Sequence, residues 1–287
     1  MSRVAYVNGR FVPHGEAVVH VEDRGYQFAD AVYEVWSVLD GRLGDFQGHM
    51  DRLHRSMDEL RIAHPMSRAA LLRVLRECVR RNRLRNGLLY LQISRGTARR
   101  DHPFPDPPVP ASVVATCKPL DMAALHAKAD KGVAVATQPD NRWGRCDIKT
   151  VGLLPNILAK QAAKERGAAE AWLVDELGLI TEGSSTNAWI VDADGVLRTR
   201  DTNCNILRGV TRANLLAIAR EEGVAFAERP FSIEEAKQAR EAFFTAASAF
   251  LTPVVSIDGT RISDGKPGPL TRRLRQLYFE RALEEAV

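Results

Sequence analysis

The chain has 287 residues, 45% hydrophobic and 26% charged, with a formal net charge of +4. This composition excludes disorder as the default state, and the length allows one large domain or two modest ones. The weak charge excess, without a helix-turn-helix, zinc or RNA-binding signature, disfavours a nucleic-acid reader, and no apolar run reaches the ~18 residues of a membrane span.

In chain order, "VAYVNGRFV" (residues 4–12) predicts a hairpin around Asn8-Gly9. "DAVYEVWSVLDGRL" predicts two more strands turning at Asp40-Gly41. Met50, Leu53, Met57 and Leu60 mark an amphipathic helix, and Ser67 caps the next. In that second helix Leu71, Leu72, Val74, Leu75, Cys78 and Val79 recur at helical spacing, so the basic run "RECVRRNRLR" is a solvated face. "LLYLQIS" and "SVVATC" are buried strands, separated by the long Pro- and charge-rich loop "RGTARRDHPFPDPPVP". Loops of that length in compact proteins are commonly functional.

A composition break at "KPLDM" suggests a linker, giving an N-terminal domain over 1–120 and a C-terminal domain over 121–287. The second half predicts a strand at "VAVAT" and a helix from Pro155 to Arg166 stopped by Gly167. Strands at "EAWLVD" and "TNAWIV" follow, then a helix from Thr211 to Glu222 stopped by Gly223. A capping box at Ser232–Glu235, strands at "EAFFTA" and "PVVSID" and a last helix from Leu270 complete the pattern. Strands and helices mix without strict alternation, which argues α+β with two domains. Cys78, Cys117, Cys146 and Cys204 form no CxxC pair, and the N-terminus lacks an apolar signal region. A cytoplasmic protein is expected.

Four features carry chemistry. Lys149, in "RCDIKTVGLLPN", sits between a strand-like segment and a helix. Read alone it is a surface lysine. Glu182, before Gly183-Ser184-Ser185, stands at the end of a buried strand; read alone, it is a turn acid. Gly209-Val210-Thr211 opens a helix whose backbone N–H groups suit phosphate. Arg52 on the Met50–Leu53–Met57 helix can turn a guanidinium fork inward. Together these suggest pyridoxal 5'-phosphate: a lysine to carry it, an acid for its ring nitrogen, and a helix start and an arginine for its phosphate.

The segments "EDRGYQFADAVYEVWSV", "HMDRLHRSMDEL", "RGTARRDHPFP", "RWGRCDIKTVGLLPNILAKQAA", "ITEGSSTNAWI" and "ILRGVTRANLL" closely resemble the fold-type IV pyridoxal-phosphate aminotransferases, in order along nearly the whole chain. The Arg100-Asp101-His102 triplet marks the D-amino-acid branch of that family. The resemblance implies an N-terminal α/β sandwich and a C-terminal pseudo-barrel with the cofactor in the crevice. It implies that Lys149 is the Schiff-base lysine, Glu182 the pyridine-nitrogen partner and Arg52 a phosphate ligand. Gly209, Val210 and Thr211 then form the helix-start phosphate site, Leu207 packs on the ring and Ser185 lies near it. Ala247 stands where the family places a hydroxyl residue on the phosphate. Arg100 and His102 grip the substrate carboxylate with Tyr33, on a loop contributed across a homodimer.

Tyr33, Val35 and Ser37 alternate along one strand and share a face, which makes Val35 and Ser37 candidates for the side-chain pocket. The expected activity is ping-pong transamination between a D-amino acid, such as D-alanine or D-glutamate, and a 2-oxo acid. Branched-chain L-aminotransferase, (R)-amine aminotransferase and aminodeoxychorismate lyase share the fold, and the triplet speaks against all three. A non-catalytic pyridoxal-phosphate binder would lack Lys149 or Glu182, and a nucleic-acid binder remains the other alternative.

Overall fold

In the computed structural model, which describes residues 3–203 and 205–287, the chain divides into two units. Cys204 lies outside the described residues. Unit 1 comprises Met1–Asp121, Ile148–Gly152 and Glu285–Val287. Its strands are β1 (Val4–Val7), β2 (Arg10–Pro13), β3 (Ala31–Leu39), β4 (Arg42–Leu43), β5 (Gly87–Ser94) and β6 (Ser112–Pro119). They form an antiparallel sheet in the order β2-β1-β6-β5-β3-β4. Its helices are α1 (Arg24–Phe28), α2 (Phe46–Glu59) and α3 (Arg68–Asn82).

The two hairpin turns carry positive φ at Asn8 and Gly9 and again at Asp40 and Gly41, the geometry that matches strand twist. The Met50–Leu53–Met57 stripe of α2 is fully buried and meets Trp36 and Val38 of β3, Leu75 of α3 and Leu89 of β5 in one core. Ser67 caps α3 by accepting from the Ala70 N–H. The basic run of α3 is a solvated face: Arg80 and Arg81 are tied to Glu77 along the helix.

The strand β3 presents two chemistries. Val32, Trp36 and Val38 enter the core, and Glu34 stands in the same row, fully buried. Its carboxylate takes Arg52 Nε and Nη2 at 2.7 and 2.8 Å and His49 Nδ1 at 2.7 Å, all from α2. Burial raises this carboxyl, but the arginine and histidine outweigh it and hold it at about 2.

Unit 2 comprises Met122–Asp147 and Leu153–Glu284. Its elements are α4 (Met122–Lys131), β7 (Val133–Pro139), α5 (Leu154–Glu165), β8 (Glu170–Val174), β9 (Ile180–Gly183), β10 (Asn187–Val191), β11 (Leu197–Thr199), α6 (Val210–Glu221), β12 (Phe226–Glu228), α7 (Ile233–Lys237), β13 (Glu241–Ala246), β14 (Phe250–Ile257), β15 (Thr260–Arg261) and α8 (Pro269–Glu284). The sheet is mixed, in the order β12-β11-β10-β13-β14-β7-β8-β9, with β15 added to β14. It curls, so that β9 at one edge also lies against β10. The architecture is α+β, with each unit built on its own sheet.

One boundary departs from the sequence reading. A linear division places Lys149 in the C-terminal domain, whereas Ile148–Gly152 belongs by its contacts to unit 1. The reason is backbone pairing: Tyr33 N–H donates to the Lys149 carbonyl at 3.0 Å, Val151 N–H to Ala31 at 3.2 Å, and Thr150 bridges Val32. Elements α1, α4, β11, β12 and β15 also escape the sequence reading, all being short or weakly periodic.

Glu34→Gln leaves the Arg52 charge buried without its anion, and a cost of about 3–5 kcal/mol is expected. Because the native carboxyl is depressed, the unfolded chain binds its proton more readily, so this contribution is present above 4.5 and lost as pH falls toward about 2. Urea titrations across that window should show the gap between parent and variant shrinking with acid; a gap independent of pH would count against the ion pair.

Candidate active site

In unit 1, Lys149 is fixed through its backbone on both sides. Its N–H donates to Ser56 Oγ of α2 at 3.3 Å, and its carbonyl accepts from Tyr33. The half-buried side chain lays Nζ 4.2 Å from the centre of the Tyr33 ring. Among the described residues no carboxylate pairs with it, unusual for a lysine withdrawn from bulk water. Tyr33 packs on Tyr90, with ring centres 5.6 Å apart, and Tyr90 donates to Gln92 at 2.8 Å. Burial, with Tyr33 beside it, raises the Tyr90 phenol to about 12, so it stays a neutral donor. Val35 stands opposite Tyr90 across the ladder and Ser37 opposite Leu88, so the Tyr33–Val35–Ser37 face is continued by β5. Arg52 is placed on the other side of β3, bound to Glu34.

In unit 2, Glu182 ends β9 and is buried. One carboxylate oxygen accepts from Arg142 and from the Leu207 N–H at 3.1 Å; the other accepts from Asn187 Nδ2 at 2.9 Å. Arg142 is itself held by Asp140, at 2.7 and 2.8 Å, and donates to the Asn205 carbonyl at 3.0 Å. Burial pushes the Glu182 carboxyl upward, while Arg142 and the Leu207 N–H pull it back. The buried anion therefore sits in a preformed cationic and N–H shell.

The following helix, α6, has Gly209 as its N-cap, with no side-chain cap. A Cβ at Gly209 would collide with Asn187 Oδ1, so only glycine permits this approach. Asn187 also donates to the Leu207 carbonyl at 3.1 Å and thereby joins the helix entry to Glu182. With no oxygen offered by the cap, the first-turn N–H groups and helix dipole at Val210 and Thr211 suit an anion. Thr211 is buried and accepts from the Tyr278 hydroxyl at 3.4 Å. Ala247 lies in the β13–β14 turn, between Ala246 and Ser248. Ser185 donates to Glu170 at 3.2 Å; Ser184 and Lys160 share that buried carboxylate.

The loop between β5 and β6 carries Arg100 and His102, both exposed. Both stack on Phe28, the guanidinium 5.1 Å and the imidazole 5.6 Å from its ring centre. Among the described residues, no carboxylate pairs with either side chain.

The model of the family described as Amino-transferase class IV matches residues 31–257. The chain belongs to the class IV aminotransferases. D-alanine aminotransferase of Staphylococcus aureus (strain N315) is 40% identical over 280 residues, covering 97% of each chain. That of Staphylococcus haemolyticus is 39% identical over 272 residues, covering 94% of this chain and 95% of the relative. Among solved structures, Escherichia coli branched-chain amino acid aminotransferase superposes with a TM-score of 0.90 at 27% identity, covering 98% of this chain and 95% of the other. The T.th. branched-chain amino acid aminotransferase, solved with pyridoxamine 5'-phosphate, gives a TM-score of 0.88 at 29% identity, covering 98% and 94%.

For this class IV aminotransferase the sequence reading missed Arg142, Asn187, Tyr90 and the Glu34–His49 pair. Arg142 carried no signal beyond its spacing of two from Asp140, just past the end of β7. Asn187 carried none, since its partner is the backbone of a loop twenty residues away.

Arg142→Met removes the strongest pull on Glu182, whose carboxyl then keeps its proton to higher pH. A carboxyl raised in the folded state contributes stability that is lost as pH rises through its folded value. The variant should be about 3–5 kcal/mol less stable than the parent near pH ~8 and closer to it near pH ~5. An equal deficit at both, by urea unfolding, would mean Arg142 does not govern Glu182.

Proposed function

We propose that this aminotransferase uses pyridoxal 5'-phosphate to move an amino group between a D-amino acid, such as D-alanine or D-glutamate, and a 2-oxo acid. The observation that carries the reading is the loop cation pair, Arg100 and His102, exposed and without an anionic partner among the described residues. The identity to D-alanine aminotransferases over almost the whole chain supports it. The branched-chain structures of similar shape are less identical in sequence.

The residues fit the cofactor. Glu182 is a buried carboxylate with the character needed to hold a protonated pyridine nitrogen, and Leu207 and Ser185 flank its loop and strand. The Gly209 cradle with the Val210 and Thr211 N–H groups suits the phosphate; Arg52, the other cation expected for it, is bound to Glu34. Ala247 offers that phosphate no hydroxyl, which leaves more of the grip to the backbone. When bound, the cofactor supplies an aldehyde that carries the amino group and a ring that takes up electrons from Cα.

The chain does the rest. Lys149 would anchor the cofactor and, once displaced, its Nζ would take the proton from substrate Cα and pass it to the cofactor's C4′, as general base and then general acid. The Tyr33 ring limits where Nζ can swing. Arg100, His102 and the Tyr33 hydroxyl hold the α-carboxylate on one side of Cα, which selects the D configuration for a proton removed from a fixed face. Val35 and Ser37 border the side chain. The exposure of Arg100 and His102 in a single chain supports a homodimer in which this loop serves the partner's site. No helix among the described residues is long and apolar enough to cross a membrane. The unbonded Cys78 and Cys117 sulphurs, 3.6 Å apart, support a reducing, cytoplasmic setting.

Lys149→Ala should abolish turnover and the near-visible absorbance of lysine-bound cofactor, while phosphate anchoring persists. Retention of that absorbance with normal turnover would assign the role to another lysine. A panel of D- and L-amino acids with pyruvate and 2-oxoglutarate should give D-alanine a kcat/KM at least about tenfold above L-alanine. Preference for L-alanine, or for branched L-substrates, would overturn the D assignment.

A further inference from the structure

The "EDRG" segment before β3 has no role in the reaction as described, yet it holds a buried arginine. The loop that carries Arg100 and His102 is pinched at its base: Gly96 has φ +109, and a Cβ there would collide with the Pro110 carbonyl oxygen. Its first residues pair with "EDRG" through Arg24 N–H to Gly96 at 2.9 Å, Ala98 N–H to Glu22 at 3.3 Å and an antiparallel bridge between Asp23 and Thr97. Asp23 caps α1 through the Gly25 N–H and also accepts from Ser94 Oγ at 2.9 Å. Short α1 is thus a fixed shelf under the loop.

Beyond Ala98 the hold passes to one side chain. Arg24, only 3% exposed, donates Nη1 to the Asp101 carbonyl at 2.6 Å and Nη2 to the His102 carbonyl at 3.2 Å. Its Nε binds Asp30 at 2.8 Å, and its plane lies 4.8 Å from the centre of Phe28, the ring on which Arg100 and His102 stack. Asp30 also receives Arg95 at 2.7 and 2.9 Å, and the Arg95 guanidinium lies 3.6 Å from the centre of the Phe104 ring. One carboxylate therefore fixes two arginines, which seize the loop on either side of His102. A planar fork reaches two successive carbonyls while its Nε keeps Asp30; an ammonium directs all its donors from one atom and cannot span the same three acceptors.

We propose that Arg24 is a positioning residue for substrate selection, setting the backbone of Asp101 and His102, and through Phe28 the side chains of Arg100 and His102, at the geometry that receives the α-carboxylate. The inference rests on the reading of Arg100 and His102 as the carboxylate-binding pair. Arg24 is buried and acts through them.

The test compares Arg24→Met, Arg24→Lys, Phe28→Leu and the double variant Arg100→Ala/His102→Ala in the holoenzyme, each assayed with D-alanine and with a primary amine that lacks a carboxylate. Arg24→Met should raise KM for D-alanine by about tenfold or more, with kcat within about threefold and the primary-amine half-reaction unchanged. Arg24→Lys should recover only part of the loss. In the double-variant background, Arg24→Met should add nothing, because the two changes act on one group. If the double variant raises KM but Arg24→Met does not, Arg24 does not position the pair and the inference fails alone. Equal losses on amine and amino acid, or full rescue by Arg24→Lys, overturn it as well. If the double variant leaves KM unchanged, the carboxylate-pair reading falls, and this inference with it. Should Arg24→Met not fold, Phe28→Leu decides the matter: raised KM for D-alanine with the amine unaffected supports the proposal, and an unchanged KM overturns it.

Discussion

A carboxylate removed from water must be met by positive charge and N–H groups, or it gives up its ionisation. Glu34, Glu182 and Asp30 each answer this demand with arginine, and the functional surfaces follow. Glu34 fixes Arg52 and His49 on α2 against β3. Glu182 gathers Arg142, Asn187 and the Leu207 N–H, which sets the entry to α6. Asp30 couples Arg24 and Arg95 under the β5–β6 loop. Hydrophobic packing could fill these volumes with less desolvation. What the ion pairs add is direction: each guanidinium is held in one plane against fixed partners.

Much of this is legible in the primary structure, and the reasons are physical. The α2 stripe, the Ser67 cap and the Ser232–Glu235 box depend on neighbours within four residues, so local spacing reveals them. The family motifs point to Lys149 and Glu182 because a reactive lysine and a strand-end acid recur in fixed contexts. The partners of those groups are hidden. Glu34 interrupts the row Val32–Trp36–Val38, a visible anomaly, yet nothing local says which helix cation meets it. Arg142 reads as an ordinary loop arginine until Asp140 and Glu182 are seen to enclose it. A linear reading gives Lys149 to the second unit because a chain taken in order offers no hint that five residues will hydrogen-bond to a strand more than a hundred positions earlier.

The alternation of β3 shows how little material separates stability from chemistry. Its even-numbered residues from Val32 to Val38 face the core, and its odd-numbered residues from Tyr33 to Ser37 form the opposite face, where Tyr33 meets Lys149. A one-residue slip of register would exchange the two sets and bury the Tyr33 row in the core. The continuous pairing of β3 with β5, from Ala31 opposite Ser94 to Val38 opposite Gly87, prevents it. The same ladder ends where the β5–β6 loop begins, so register and loop position are specified together.

The assignment of Ile148–Gly152 to unit 1 bears on how the protein comes into being. During synthesis the first sheet can pair its strands early, but the surface around Tyr33 stays incomplete until Met122–Asp147 has also been made and the chain has returned. Thr150 then bridges Val32, and the Lys149 carbonyl receives the Tyr33 N–H. Lys149 is thus among the later groups to be seated in its unit. A nascent chain would carry this lysine exposed and undirected until the backbone of the second unit is already under way.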